Sequence, residues 1–194
     1  MNKAVFLDRD GTINEDVNYL TNKRDLVIFP TAKEALTRLK KLGFLTIVIT
    51  NQSGIARGYM SEDDLHEIHR EIDLILQDDG NPLIDEYYYS PYHIDGVIKE
   101  FTKESEDRKP GTGLIKKAIQ KYDIDPRQSF FIGDTIKDMQ CAESMEIRGI
   151  MVETGYGTIE HEKCINSGIT VDYLAKDIGD ASTYIEKLVN IKLI

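Results

Sequence analysis

Four short stretches of this chain carry side chains that could do chemistry together. They are Asp8-Arg9-Asp10-Gly11-Thr12, Thr50-Asn51-Gln52-Ser53-Gly54, Arg108-Lys109-Pro110 and Gly133-Asp134-Thr135-Ile136-Lys137-Asp138. Two aspartates at period two, a hydroxyl, a lysine and a distal acidic pair suit phosphoryl transfer through an aspartyl phosphate. Asp8 would act as nucleophile and split one hard step into two easier ones. Asp10, two residues on, could reach the leaving-group oxygen as general acid and then as base. Carboxylates that face a phosphate repel it, so a hard cation such as Mg²⁺ has to stand between them. Mg²⁺ takes oxygen ligands and commonly uses only one or two carboxylates, with water and phosphate oxygens completing its shell. Thr50 and Lys109 would hold the equatorial phosphate oxygens as charge develops. Each stretch alone has an ordinary explanation, as a turn, a cap or a solvated lysine. All four in this order point to a site.

These stretches follow the segments that must position them. Ala4–Leu7 is a continuous apolar run, as in a strand buried on both faces. Residues 31–42 read as a helix, with Thr31 and Glu34 as a capping box and Gly43 past its end. Leu45–Ile49 is a second buried strand, and Ser61 caps a helix running to about Asp78. Asp85–Tyr89 is a tyrosine-rich strand, and residues 90–110 read as a long loop. A helix follows Gly113, then strand Ser129–Ile132, a helix from Ile136 to Met145 and strand Gly149–Val152. Residues 153–170 read as glycine-punctuated loop, and 178–189 as a last helix. This alternation argues an α/β fold, a doubly wound parallel sheet with helices on both faces. Ligands of such sheets lie beyond the carboxyl ends of the strands, where all four stretches fall. The expected organisation is one domain over residues 1–194, with a loop insertion at about 90–110.

Composition narrows the function. Lys and Arg number 24 against 34 Asp and Glu, a net charge of −10, which excludes a basic nucleic-acid footprint. No apolar run reaches the roughly 18–20 residues of a membrane span, and the start of the chain does not read as a signal peptide. The two cysteines, Cys141 and Cys164, form neither a disulfide framework nor a zinc motif. A cytoplasmic monomer acting on a small molecule is expected.

The four stretches resemble the motifs of the haloacid dehalogenase (HAD) superfamily of phosphatases. Asp8-Arg-Asp-Gly-Thr-Ile-Asn14, Thr50-Asn-Gln-Ser-Gly-Ile-Ala-Arg57-Gly58 and Asp107-Arg108-Lys109-Pro110 further resemble the histidinol-phosphate and heptose-bisphosphate phosphatase family, from about residue 2 to 158. The resemblance implies a Rossmann-like HAD sheet whose cap is reduced to loops. It implies Asp8 as nucleophile and Mg²⁺ ligand. Asp10 would be acid/base and give its backbone carbonyl to the metal. Thr50 and Lys109 would hold the phosphoryl group, Asp134 would be the third metal ligand, and Asp138 would support the site from behind. It further implies substrate contacts from Asp16 to Tyr19, from the Thr50–Ser53 turn with Asn51, Gln52 and Ser53, and from Arg57 and Arg108. The substrate so implied is a sugar phosphate, D-glycero-D-manno-heptose 1,7-bisphosphate first and histidinol phosphate second. A phospho-receiver signalling domain, which uses similar residues to store a phosphoryl group, is the reading of another class.

One departure stands out. Many relatives of the heptose-bisphosphate type carry a structural zinc in the long loop, on three cysteines and a histidine. Here those positions hold Ser90, Ser105, Asp107 and Tyr92, with His93 beside them. No structural zinc is expected. His66 and His69 fall off the apolar stripe of their helix and read as solvated surface. Tyr87–Tyr92 read as a half-buried strand and its exit, and both cysteines as inert thiols.

Overall fold

A computed structural model describes residues 1–191 of the 194-residue chain. The strands are β1 (Ala4–Leu7), β2 (Leu45–Asn51), β3 (Gln77–Asp78), β4 (Asn81–Pro82), β5 (Glu86–Ser90), β6 (Phe130–Gly133), β7 (Arg148–Val152) and β8 (Tyr173–Ala175). The α-helices are α1 (Ala32–Lys41), α2 (Glu62–Ile75), α3 (Gly113–Tyr122), α4 (Ile136–Ser144), α5 (Gly157–Ser167) and α6 (Ile178–Ile191). Six strands pair in parallel in the order β5-β2-β1-β6-β7-β8. The chain winds outward from β1 to one side, then returns and winds to the other. The reversal leaves a crevice at the carboxyl ends of β1, β2 and β6.

Period-two alternation divides each central strand between two cores. Val5 and Leu7 face the residues of α1, α2 and α6, among them Leu36, Leu39, Ile72 and Ile185. Ala4 and Phe6 face Leu114, Ile115 and Ala142 of α3 and α4. Burial on both sides explains why β1 reads as unbroken apolar sequence. Between β1 and α1, and between β5 and α3, no α-helix or multi-residue strand is inserted. The crevice is roofed by loops.

The structure departs from the sequence expectation in four places. The capping box at Thr31 does not form. Thr31 is already helical (φ −84°, ψ −9°), its hydroxyl is buried without a partner, and Glu34 binds Arg38 instead. Thr31 packs against the start of α6, where a Cβ on Gly179 would come within 2.9 Å of its Cβ. Helix α2 stops at Ile75 because the chain turns into the β3–β4 hairpin. Its turn residues Asp79 and Gly80 both have positive φ (48° and 81°), as a two-residue hairpin requires. Residues 157–167, expected as loop, form α5, whose only buried residues are Gly157 and Cys164; so faint an apolar stripe leaves little periodicity to read. The short edge strand β8 was likewise not expected.

Leu36 is fully buried where α1 meets the sheet and lies far in sequence from the four chemical stretches. Leu36→Ala is expected to cost about 2–5 kcal/mol in urea unfolding, with kcat per folded molecule unchanged.

Candidate active site

The site begins where β1 ends. The Asp8 N–H donates to the Ile132 carbonyl (2.9 Å), so β1 and β6 release their carboxyl ends side by side. The chain then turns tightly, with the N–H groups of Thr12, Ile13 and Asn14 all converging on the Arg9 carbonyl. Gly11 carries a φ of +80° in this turn, and a Cβ there would strike the Asp134 carboxylate at 2.2 Å. Gly155, at φ +60°, closes on the same oxygen beside Gly11: its Cβ would lie 2.1 Å from Asp134 Oδ2 and 2.7 Å from the Gly11 Cα. Two glycine backbones thus crowd one edge of the Asp134 carboxylate. Its Oδ2 accepts the Tyr156 N–H (2.9 Å), while its buried Oδ1 has no partner.

Asp8, Asp134 and Asp138 bring one oxygen each within 4.8 Å of the others, and all three are buried. Asp138 also organises the start of α4: its Oδ2 accepts the Thr135 N–H (3.0 Å) and hydroxyl (2.6 Å). Lys109 reaches this cluster from the opposite loop, its Nζ 2.9 Å from Asp8 Oδ1 and 2.7 Å from Asp138 Oδ1. Burial would depress the Lys109 ammonium, but Asp138 and Asp8 outweigh it and hold the group above its ordinary value. Burial raises Asp8 and Asp134 well above the carboxylate range, opposed by Lys109 and reinforced by the neighbouring carboxylates. One ammonium against three buried carboxylates leaves an excess of negative charge in a dry place.

Asp10 belongs to a different network. Its carboxylate accepts from Arg9 Nη2 (2.8 and 2.9 Å), Asn14 Nδ2 (2.9 Å) and Gln52 Nε2 (2.9 Å). Burial alone would raise Asp10; the Arg9 charge and the hydrogen bonds from Asn14, Arg9 and Gln52 reverse this and hold it as the anion. Gln52 also donates to Thr50 Oγ1 (2.8 Å), joining the end of β2 to this network. Asn51 grips the Lys109 backbone twice, accepting from its N–H (3.0 Å) and donating to its carbonyl (3.1 Å).

The crevice is a cavity of about 160 Å³. Asp8, Asp10, Asp16, Thr50, Asn51, Ser53, Arg108, Lys109 and Asp134 line it as the sequence anticipates. Gln52, Tyr19 and Arg57 do not. Gln52 is buried beneath it, and Tyr19 stands outside, edge-on to Tyr59 at 4.8 Å. Arg57 turns toward the His93 ring (3.4 Å). Asn18, within the anticipated Asp16–Tyr19 stretch, lines the cavity too, as do Thr135, Lys137 and Tyr156, to which the sequence assigned no contact. Lys137 was visible inside the fourth stretch; Tyr156 arrives only because the segment after β7 folds back onto Gly11, where Thr154 Oγ1 donates to its carbonyl (2.6 Å).

The 90–110 loop is held by aromatic and backbone contacts. Phe101 packs on Ile55, Met60 and Leu65, Tyr92 faces it at 6.2 Å, and Lys103 lies over the Tyr92 ring. Val97 and Ile98 both donate to the Ala56 carbonyl. Of the positions discussed for zinc, Ser90 is buried at the end of β5, Ser105 accepts the Asp107 N–H and Asp107 pairs with Lys117.

His69 departs from the solvated-surface expectation. It is 6% exposed, stacks on Tyr87 (4.2 Å) and faces Arg9 Nη1 from Nε2 at 3.4 Å. Only His66 of the pair lies on the surface. The stripe of α2 is wider than its aliphatic residues alone, because a stacked imidazole can share it.

Such a sheet, with an aspartate pair after its first strand and a lysine and acidic pair converging on it, defines a phosphatase of the haloacid dehalogenase-like class. Known proteins agree. A family model described as HAD-hydrolase-like matches residues 107–181. A D-glycero-beta-D-manno-heptose-1,7-bisphosphate 7-phosphatase of Pasteurella multocida is 38% identical, over 97% of this chain and 99% of its own. A D-glycero-alpha-D-manno-heptose-1,7-bisphosphate 7-phosphatase of Photorhabdus laumondii is also 38% identical, over 81% of this chain and 86% of its own. The crystal structure of a D,D-heptose 1,7-bisphosphate phosphatase from B. bronchiseptica, complexed with magnesium and phosphate, shares the fold. It superposes with a TM-score of 0.85 at 24% identity, covering 96% of this chain and 99% of that one. The chain belongs to the heptose-bisphosphate phosphatase family of HAD hydrolases. No helix among the described residues is long and apolar enough to cross a membrane.

Burial, then the nearby Arg9 charge, hold His69 down at about 3, against an ordinary value of 6.5. The unfolded chain takes up a proton near pH 6.5 that the folded state refuses. Stability from neutral His69 is thus complete above that pH and is lost as pH falls toward 3. Urea midpoints of the wild type are expected to drop more steeply from pH 7 to 4.5 than those of His69→Phe.

Proposed function

We propose that this enzyme removes the 7-phosphate of D-glycero-D-manno-heptose 1,7-bisphosphate through a phosphoryl group carried on Asp8. The observation that carries the chemistry is the buried cluster of Asp8, Asp134 and Asp138 against Lys109 at the carboxyl ends of the strands. The activity of the relatives from Pasteurella multocida and Photorhabdus laumondii supports the substrate.

An Asp8 oxygen attacks phosphorus and the bond to the sugar oxygen breaks; that oxygen takes a proton from Asp10. Asp10 then accepts a proton from water, whose oxygen attacks phosphorus, freeing inorganic phosphate and restoring Asp8. The Arg9, Asn14 and Gln52 contacts favour the anionic form that this second step needs, and the same stabilisation of the anion makes the proton that Asp10 carries into the first step a readily given one. Lys109 and Thr50 face the equatorial oxygens, and Asn51 keeps the Lys109 backbone in register with β2.

The donor set also fits Mg²⁺. Asp134 Oδ1 is buried without a partner, the carboxylates are all oxygen donors, and their excess charge calls for a cation. Asp8, Asp134 and the Asp10 backbone carbonyl would hold it. Bound there, Mg²⁺ neutralises phosphate and carboxylate charge, so that an anionic nucleophile and an anionic substrate can meet. On this reading the metal is Mg²⁺ without a structural zinc, and the enzyme is a cytoplasmic monomer.

A bisphosphate needs a second cationic contact. Arg108 lines the crevice half-buried, anchored by Nη1 to the Tyr92 carbonyl (3.2 Å). Burial and the charge of Arg57 both lower its pKa, so two guanidiniums stand close together. Neither pairs with a carboxylate among the described residues. This arrangement favours a second phosphate over histidinol phosphate, whose far end is cationic.

Asp8→Asn should abolish phosphate release with the fold intact, because an amide is not a competent nucleophile. Turnover within about tenfold of wild type would sink the covalent route. A chelator should remove activity without unfolding the protein, Mg²⁺ should restore it, and elemental analysis should find no stoichiometric zinc. Arg108→Ala should lower kcat/KM for the heptose bisphosphate by about 10–150-fold. That range corresponds to a charge-assisted contact of about 1.5–3 kcal/mol. Hydrolysis of p-nitrophenyl phosphate should barely change. Equal losses on both would assign Arg108 to the reacting phosphate instead.

A further inference from the structure

Arg9 is fully buried, an unusual state for a guanidinium, and its donors are divided between two acceptors. Nε and Nη2 point at the Asp10 carboxylate. Nη1 points the other way, at His69 Nε2, 3.4 Å distant. An arginine does not lose its proton, so this imidazole nitrogen must present a lone pair, which places the ring proton on Nδ1. The ring itself is fixed from two elements. It stacks on Tyr87 of β5 at 4.2 Å and 16°, and the Tyr87 hydroxyl donates to Asp73 Oδ1 (2.8 Å), one turn along α2 from His69. Neither His69, Tyr87 nor Asp73 lines the crevice.

We propose that His69 is a positioning residue for Asp10: its Nε2 lone pair pins the far amine of Arg9, so that the guanidinium presents a fixed face to the Asp10 carboxylate. The argument rests on Asp10 as the acid and base of the proposed reaction. A carboxylate that must meet first the leaving oxygen and then a water has to return to one place between the two steps. Gln52 and Asn14 hold it from the side. Arg9 holds it from behind, and a planar guanidinium with a loose amine can rock as a unit about its Cδ–Nε bond. With His69 as acceptor the buried Nη1 is satisfied and the plane is set. Without it, Nη1 loses its hydrogen-bond partner in a dry pocket and the side chain shifts to find another. A neutral acceptor is required here, since a protonated ring would repel Arg9. The low-polarity seat between α2 and Tyr87 keeps the imidazole neutral.

The test compares His69→Phe, which keeps the stacked ring but has no acceptor, with His69→Gln, which keeps an acceptor oxygen. Release of the leaving group is measured in the first turnover, for the heptose bisphosphate and for p-nitrophenyl phosphate. Cleavage to an alkoxide needs the Asp10 proton and cleavage to p-nitrophenolate does not. His69→Phe should slow the sugar substrate by about 10–100-fold, within the roughly 10²–10⁴-fold that general acid–base catalysis supplies. It should slow the aryl substrate by less than about threefold, with KM for the sugar substrate unchanged. His69→Gln should recover most of the lost rate. If His69→Phe does not fold, His69→Asn, whose amide is too short to reach Arg9, takes its place. Equal losses on both substrates, no loss on either, or failure of His69→Gln to recover would each overturn the proposal. Asp10→Asn is the control. If it retains the wild-type rate on the sugar substrate, the reading of Asp10 has failed. If it is inactive while His69→Phe matches wild type, only the role of His69 has.

Discussion

The carboxyl end of the sheet is organised by one ammonium group buried between two buried carboxylates. Lys109 touches Asp8 at the end of β1 and Asp138 on the first turn of α4, and thereby ties together three separate parts of the chain. Removing such charges from water costs several kcal/mol per ion, so the arrangement survives only with close geometry and further support. That support is visible on each partner. Asn51 grips the Lys109 backbone from the end of β2, and Thr135 gives Asp138 two hydrogen bonds. The Arg9 N–H donates to Asp8 at 2.7 Å. One lysine does not neutralise three carboxylates, and the remaining negative charge is what a bound divalent cation would offset. Burial and the neighbouring carboxylates push Asp8 and Asp134 toward protonation.

The two aspartates of the first stretch are separated by environment more than by distance. Asp8 faces a lysine and other carboxylates, and burial drives its pKa up. Asp10 faces an arginine and two amides, and these drive its pKa down. The strand has ended at Leu7, and the tight turn built on the Arg9 carbonyl carries Asp10 away from Asp8, so each meets a different set of partners. The nucleophile and proton-transfer roles proposed for them need such unlike surroundings, and Arg9, the residue between them, supplies much of the difference.

The loop at the crevice mouth is ordered by aromatic and backbone contacts. Phe101 and Tyr92 form a small apolar seam against Ile55, Met60 and Leu65, and two N–H groups fasten the loop to the Ala56 carbonyl. The Tyr92 carbonyl then anchors Arg108, so the loop's packing sets the direction of the cation at the mouth.

Much of this was legible in the residues themselves. The unbroken apolar runs of β1 and β2, the helical spacing of α1 to α4 and the chemical groups that follow the strands are local patterns. A parallel sheet must place whatever follows its strands at one edge, so Asp8, Thr50, Lys109 and Asp134 were readable as one site. Helix α5 escaped because its stripe is two residues wide, and the capping box at Thr31 misled because α6 packs where the hydroxyl would turn. The positions of Gln52, Arg57 and His69 were not readable either. Gln52 stands next to crevice residues but points beneath them, and His69 sits on a helix whose polar residues otherwise face water. Sequence alone determined the strand order's chemistry: which groups arrive at the carboxyl edge and what they can do there. Only tertiary structure decided which of them face the cavity and which stand behind, because side-chain direction depends on partners distant in the chain, and a buried polar group turns to whichever partner satisfies it.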